Sequence, residues 1–146
     1  MLDGLFVTPA VTAIGEALGS ANAEGTIAVV GNAKLATALG AGREVIPVGL
    51  SARAAKKLTN ARADLVGVEE RSLAAVIGVD ITDDEAWVET LRTWTKAVRD
   101  GGAIVFVDRG HAAEAARRAL CAGLSELEQR HAGRTVITSG LVTHLA

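Results

Sequence analysis

Short apolar runs rich in β-branched residues alternate along the chain with longer, Ala-rich stretches of helical spacing. The runs Thr26–Val30, Glu44–Val48, Ala63–Val66, Ala74–Val79 and Ala103–Val107 are predicted as strands. Each is close to continuously apolar, as strands buried on both faces are. Helices are predicted over Thr8–Ser20, Asn32–Leu39, Ser51–Asn60, Asp83–Arg99 and His111–His131. Strand and helix in alternation predict an α/β fold in three layers, a doubly wound, mostly parallel sheet covered on both faces.

The boundaries carry their own punctuation. Ser51 stands before Ala-Arg-Ala-Ala-Lys-Lys-Leu as an N-cap. Thr82-Asp83-Asp84-Glu85 places a cap and three acids where a helix dipole favours negative charge. Arg99-Asp100-Gly101-Gly102 closes the same helix with a base and a glycine stop. The last segment, Arg134 to Ala146, reads either as one terminal strand or as a hairpin around Ser139-Gly140, at a sheet edge. With no linker, repeat or low-complexity tract, residues 1–146 read as one domain, its first 22 residues an N-terminal helix region.

Composition narrows the partners. Apolar residues make up 49 % of the 146, yet no run nears the ~18 that a membrane span requires. No basic region precedes an apolar segment at the N-terminus, and Cys121 is the single cysteine. Together these predict a cytoplasmic, reducing setting, with Cys121 a buried small apolar side chain. A net charge of −2 and 3 % aromatics leave neither a basic footprint nor stacking surfaces for nucleic acid.

Ser72-Leu-Ala-Ala-Val-Ile-Gly-Val-Asp80, then a helix, then Val98-Arg-Asp-Gly-Gly-Ala-Ile-Val-Phe-Val-Asp108 resembles the class I S-adenosylmethionine-dependent methyltransferases. In that family a Gly-Gly turn of the type L-R-P-G-G leads into a strand of the type G-x-L-V-h-V, and Asp100 stands here where proline is usual. The resemblance covers nearly the whole chain and implies a Rossmann-like sheet. It also implies a cofactor site at Gly31, Asn32, Ala33, Gly49 and Asp80, should binding be kept.

The same resemblance marks what that site lacks. Aligned on Gly31, Val29 occupies the acidic position of the first strand, Ala33 the second glycine and Leu35 the third. Leu35 is expected to crowd the loop. The second strand ends in Val48-Gly49 with no nearby acid for the ribose hydroxyls. No Asn-Pro-Pro-Tyr motif or substrate-lid insertion is present.

Other candidates have plainer readings. Asp80 serves the turn that follows it, and Asp108 and Arg109 form a local ion pair or helix cap. Lys34, Arg53, Lys56 and Lys57 form a solvated basic face. His111, His131 and His144 show no metal-ligand spacing with one another or with Cys121. Trp87 and Trp94, seven apart, share one helix face that packs on the sheet. The expectation is a non-catalytic methyltransferase-like module for a protein partner or a second copy, with no cofactor. Its alternatives are a minimal active transferase using S-adenosylmethionine and a remnant NADP-binding domain.

Overall fold

The computed structural model describes residues 2–49, 53, 56, 58, 61–65 and 68–144, with the side chains of 2–9 outside that description. In chain order the elements are α1 (Leu2–Ser20), β1 (Ile27–Val30), α2 (Ala33–Leu39), β2 (Val45–Val48) and β3 (Leu73–Val79). A 3-10 turn (Ile81–Asp83), α3 (Trp87–Ala97), β4 (Val98–Arg109), α4 (Ala112–Cys121), β5 (Ser125–Ala132) and β6 (Thr135–Leu141) follow. The strands form one sheet in the order β2-β1-β3-β4-β6-β5. The first four run parallel, and β6 lies antiparallel between β4 and β5.

Helices cover both faces, and β4 feeds both cores by strand alternation. Val105 and Val107 pack with Ile14, Leu18, Val29 and Leu35 under α1 and α2. Ile104 and Phe106 pack on the other face with Leu91, Trp94, Ala115 and Ala119 of α3 and α4. Trp94 lies directly over Gly78, where a Cβ would overlap the indole, and tilts 56° against Phe106 at 6.5 Å. Among the described residues no helix is long and apolar enough to cross a membrane.

Several elements depart from expectation. Ala63–Val66 forms no strand over its described residues; Arg62 makes an isolated parallel bridge to Val48. Arg62, Ala63 and Asp64 are exposed and only Leu65 is buried, too little apolar burial to hold a ladder. The helix Ser51–Asn60, with its Ser51 cap, falls largely outside the described residues. The first helix begins at Leu2 rather than Thr8 and carries Pro9 within it.

The long helices are shorter than predicted. Asp83–Arg99 divides into the Ile81–Asp83 turn and α3, with Asp84 accepting from the Ala86 amide at 2.8 Å and the Thr90 hydroxyl at 2.7 Å. Gly101 and Gly102 sit within β4, whose register slips against β3 between Leu73 and Ala75.

His111–His131 is helix only to Cys121. Gly123, at φ +85°, ends it in a Schellman arrangement, its amide donating to Leu120 O and that of Leu124 to Ala119 O. The chain then returns as edge strand β5. The hairpin turns at Gly133-Arg134, while Ser139 and Gly140 lie inside β6. A Cβ on Gly140 would stand 2.8 Å from the Leu124 Cβ and 2.7 Å from the Leu127 Cδ2. Cys121 is exposed rather than buried, because it ends a helix whose buried face is Ala115 and Ala119.

Candidate functional site

Parallel strands bring their carboxyl ends to one edge. Val30 lies opposite Val48 and Gly78, and Val79 lies opposite Val107. The residues that follow, Gly49, Gly31, Asp80 and Asp108, therefore stand along that edge in sheet order. The chain leaves β1 toward β2 on one side and finds β3 on the other. This is the topological switch point, where open α/β sheets bind ligands.

Gly31 adopts φ +90°, with nothing within 4 Å of a Cβ there, and its amide donates to Val48 O at 2.9 Å. A side chain would be strained at that φ; glycine meets it freely. Asn32 caps α2, its side-chain oxygen accepting from the Leu35 amide at 2.9 Å. Ala33 is the first residue of α2. Leu35 does not crowd the turn as expected: it is fully buried in the core with Ile14 and Leu18 of α1, and nothing lies within 4 Å of a Cβ on Gly31.

Gly49 takes φ +69° and donates its amide to Arg62 O at 2.9 Å. Ala63 O lies 3.9 Å from the place a Cβ on Gly49 would take. Asp64 follows directly and is exposed. The backbone of Arg62 and Ala63 is thus laid alongside the end of β2, a pairing that reading along β2 alone misses.

Asp80 holds a left-handed φ of +59° at the end of β3, its amide bonded to Val107 O at 2.8 Å. Desolvation and the nearby Asp83 carboxylate raise its pKa, while Arg109 opposes them. Among the described residues Asp108 makes no ion pair, and rather than capping the helix that follows, it reaches back to Thr82 of the 3-10 turn. It is 1 % exposed, and its Oδ1 accepts from the amide and the hydroxyl of Thr82, each at 3.0 Å. Its Oδ2 is buried with no hydrogen-bond partner. Burial drives its pKa upward, against the two Thr82 bonds and with added push from Asp80 and Asp83.

Behind this turn stands α4. Arg118 donates to Ile81 O at 2.5 Å, to Asp84 O at 3.1 Å and to Glu114 at 2.6 Å. It also lies 5.1 Å from the centroid of the Trp87 ring. Hydrogen bonds from Arg117 and Arg118 hold the Glu114 carboxyl down to about 2. Both tryptophans pack against the same core, Trp94 buried on the sheet and Trp87 half-buried with Arg117 and Arg118 against its ring. Arg53 and Lys56 are exposed, as is Lys34; Lys57 lies outside the described residues. Among the described residues no group of three His, Cys, Asp or Glu could hold a metal. His144 instead ties the C-terminal segment to Val98 O at 2.7 Å.

No protein-family model matches the chain, and no curated protein matches it in sequence. Solved structures match it closely in shape. A putative S-adenosylmethionine-dependent methyltransferase of Methanococcus maripaludis superposes with a TM-score of 0.74 at 12 % identity, over 97 % of this chain and 89 % of that one. A chain of the complex between the Haloferax volcanii Trm112 methyltransferase activator and the putative methyltransferase gives 0.73 at 13 %, over 91 % and 89 %. PigF with SAH gives 0.66 at 17 %, over 80 % of this chain and half of PigF. Identities this low speak to architecture alone. The chain has the methyltransferase-like, Rossmann-like fold of class I.

Proposed function

We propose that the chain, as one domain over residues 1–146, is a methyltransferase-like module that binds a protein partner or a second copy of itself rather than transferring methyl groups. One observation carries this reading: β2 ends in Gly49 where a carboxylate would receive the ribose hydroxyls, and buried Val29 stands in β1 where the family has an acid. Each charged hydrogen bond lost removes roughly 1.5–3 kcal/mol, and each 1.4 kcal/mol is about tenfold in affinity. Losing two such acceptors would take micromolar binding toward millimolar. The complex with a methyltransferase activator among the similar structures supports partnership as a use of this fold. A cytoplasmic setting, keeping exposed Cys121 reduced, fits the same reading.

Titration calorimetry of the chain with S-adenosylmethionine and with SAH tests it, alongside its mass in solution. The expected result is no saturable heat and a mass above that of one chain. Tight, saturable binding of either compound overturns the proposal.

A second reading, a minimal active methyltransferase, is favoured by the Leu35 side chain. Packed in the core, it leaves Gly31 open, and S-adenosylmethionine would meet the chain at Gly31, Asn32, Ala33, Gly49 and Asp80. PigF with SAH supports that choice of ligand. Under this reading Gly31→Val abolishes binding, because a β-branched residue at φ +90° both strains the turn and fills the approach. The remnant NADP-binding reading requires that Arg53→Ala weaken NADP binding in the same titration.

A further inference from the structure

Among the described residues Asp108 is the one buried carboxylate, and half of it is satisfied. Oδ1 receives both donors of Thr82, while Oδ2 has no partner and no contact with solvent. A charged oxygen left this way is costly; a neutral carboxyl in the same place is far less so. The charges around it discourage ionisation. Asp80 and Asp83 lie on the turn that Thr82 belongs to, and both act on Asp108 as like charges. Asp84, next on that turn, spends its carboxylate on Ala86 and Thr90. From α4, Arg118 faces the turn, but its guanidinium is engaged by Ile81 O, Asp84 O and Glu114. Arg109 stands beside Asp80 and is exposed, and exposed His111 precedes α4. From β6, the residue opposite Asp108 is Val136, which brings no charge.

We propose that Asp108 is a proton-sensitive latch between β4 and the Ile81–Asp83 turn. Neutral, it holds Thr82 through two ordinary hydrogen bonds, and through the turn Asp80, against the carboxyl end of the sheet. Ionised, it grips Thr82 more tightly at Oδ1 but leaves Oδ2 charged and unsolvated beside Asp80 and Asp83, and the turn shifts to admit water to that oxygen. The geometry of Asp80 at the candidate site thereby depends on pH, whichever ligand or partner that site takes.

The test is carbon-13 NMR of the full chain, following the Asp108 carboxyl and the Thr82 amide from pH 3 to 8. The Asp108 carboxyl is expected to titrate above the ordinary 3.8, and the Thr82 amide shift to move with the same midpoint. Asp108→Asn, a neutral isostere that keeps an acceptor for Thr82, should flatten the Thr82 response. If that variant does not fold, Asp83→Asn replaces it and should lower the Asp108 midpoint by removing a like charge. The latch is overturned if Asp108 titrates at or below 3.8, if Thr82 does not follow it, or if Asp83→Asn leaves the midpoint in place.

Discussion

Gly78 and Trp94 show how far one missing methyl group reaches. The indole occupies the volume a Cβ would take on β3, and in doing so brings α3 close to the sheet beside Phe106. Overpacking a core costs roughly 1–3 kcal/mol, and truncating a buried tryptophan to alanine about 3–5 kcal/mol. Gly78→Val and Trp94→Ala should each lower the stability read from urea denaturation by these amounts. Combined, they should cost less than the sum, because the valine partly fills the space the indole leaves. Strict additivity in the denaturation curves would mean the two positions do not share that volume. Neither residue announces this contact along the chain. Trp94 is legible as an inward-facing helix residue, but the glycine beneath it sits sixteen positions earlier and reads only as a weak spot in a strand.

Elements differed in legibility for one physical reason, whether their own burial chose their state. β1, β3 and the 103–107 stretch of β4 are apolar on both faces and were readable within a residue or two, while the polar start of β4 at Arg99 and Asp100 read as a helix end. Ser125-Glu-Leu-Glu-Gln-Arg-His131 consists largely of good helix formers, and it reads as a continuation of α4. It is a strand because β6 supplies a ladder and Leu127 packs in the core, so tertiary pairing overrode propensity. The overlooked stop was Gly123. Gly123→Ala places a methyl group at φ +85°, where a left-handed conformation costs an L-residue roughly 1–2 kcal/mol. Thermal melts should show a destabilisation of about that size. An unchanged melting temperature would remove Gly123 as the device that separates α4 from β5.

At the scale of the whole molecule, the candidate site is a product of register. Thr82 and Asp108 are twenty-six positions apart and meet only because β3 and β4 end level with each other. Arg62 likewise meets the Gly49 end of β2 through its bridge to Val48. The turns at Gly31 and Gly49 and the strand-end acids Asp80 and Asp108 were legible from the chain; the bond between Thr82 and Asp108 was not, since spacing along a sequence holds no record of strand alignment. Linkage assigns Asp108 a sign. A carboxyl whose pKa rises on folding stabilises the native state below its unfolded value, and that contribution fades as pH climbs through the folded one. Asp108 therefore works against the fold at neutral pH, and Asp108→Asn should flatten this descent in melts taken between pH 4 and 7.

The lone bridge at Arg62 has a dynamic consequence. β2 is four residues long and, among the described residues, meets a single bridged residue on its outer side, whereas β3, β4 and β6 are laddered on both sides. Opening free energies in such a sheet are graded across its width. Native-state hydrogen exchange should find the amides of Val45, Ile46 and Val48 released by small local fluctuations, while those of Val76 and Val105 wait for global unfolding. Equal opening energies for the two groups would contradict that gradient. The β2 end of the sheet's carboxyl edge can then breathe while the remainder stays shut, and a molecule that settled against it would be seen first as a slowing of exchange along β2.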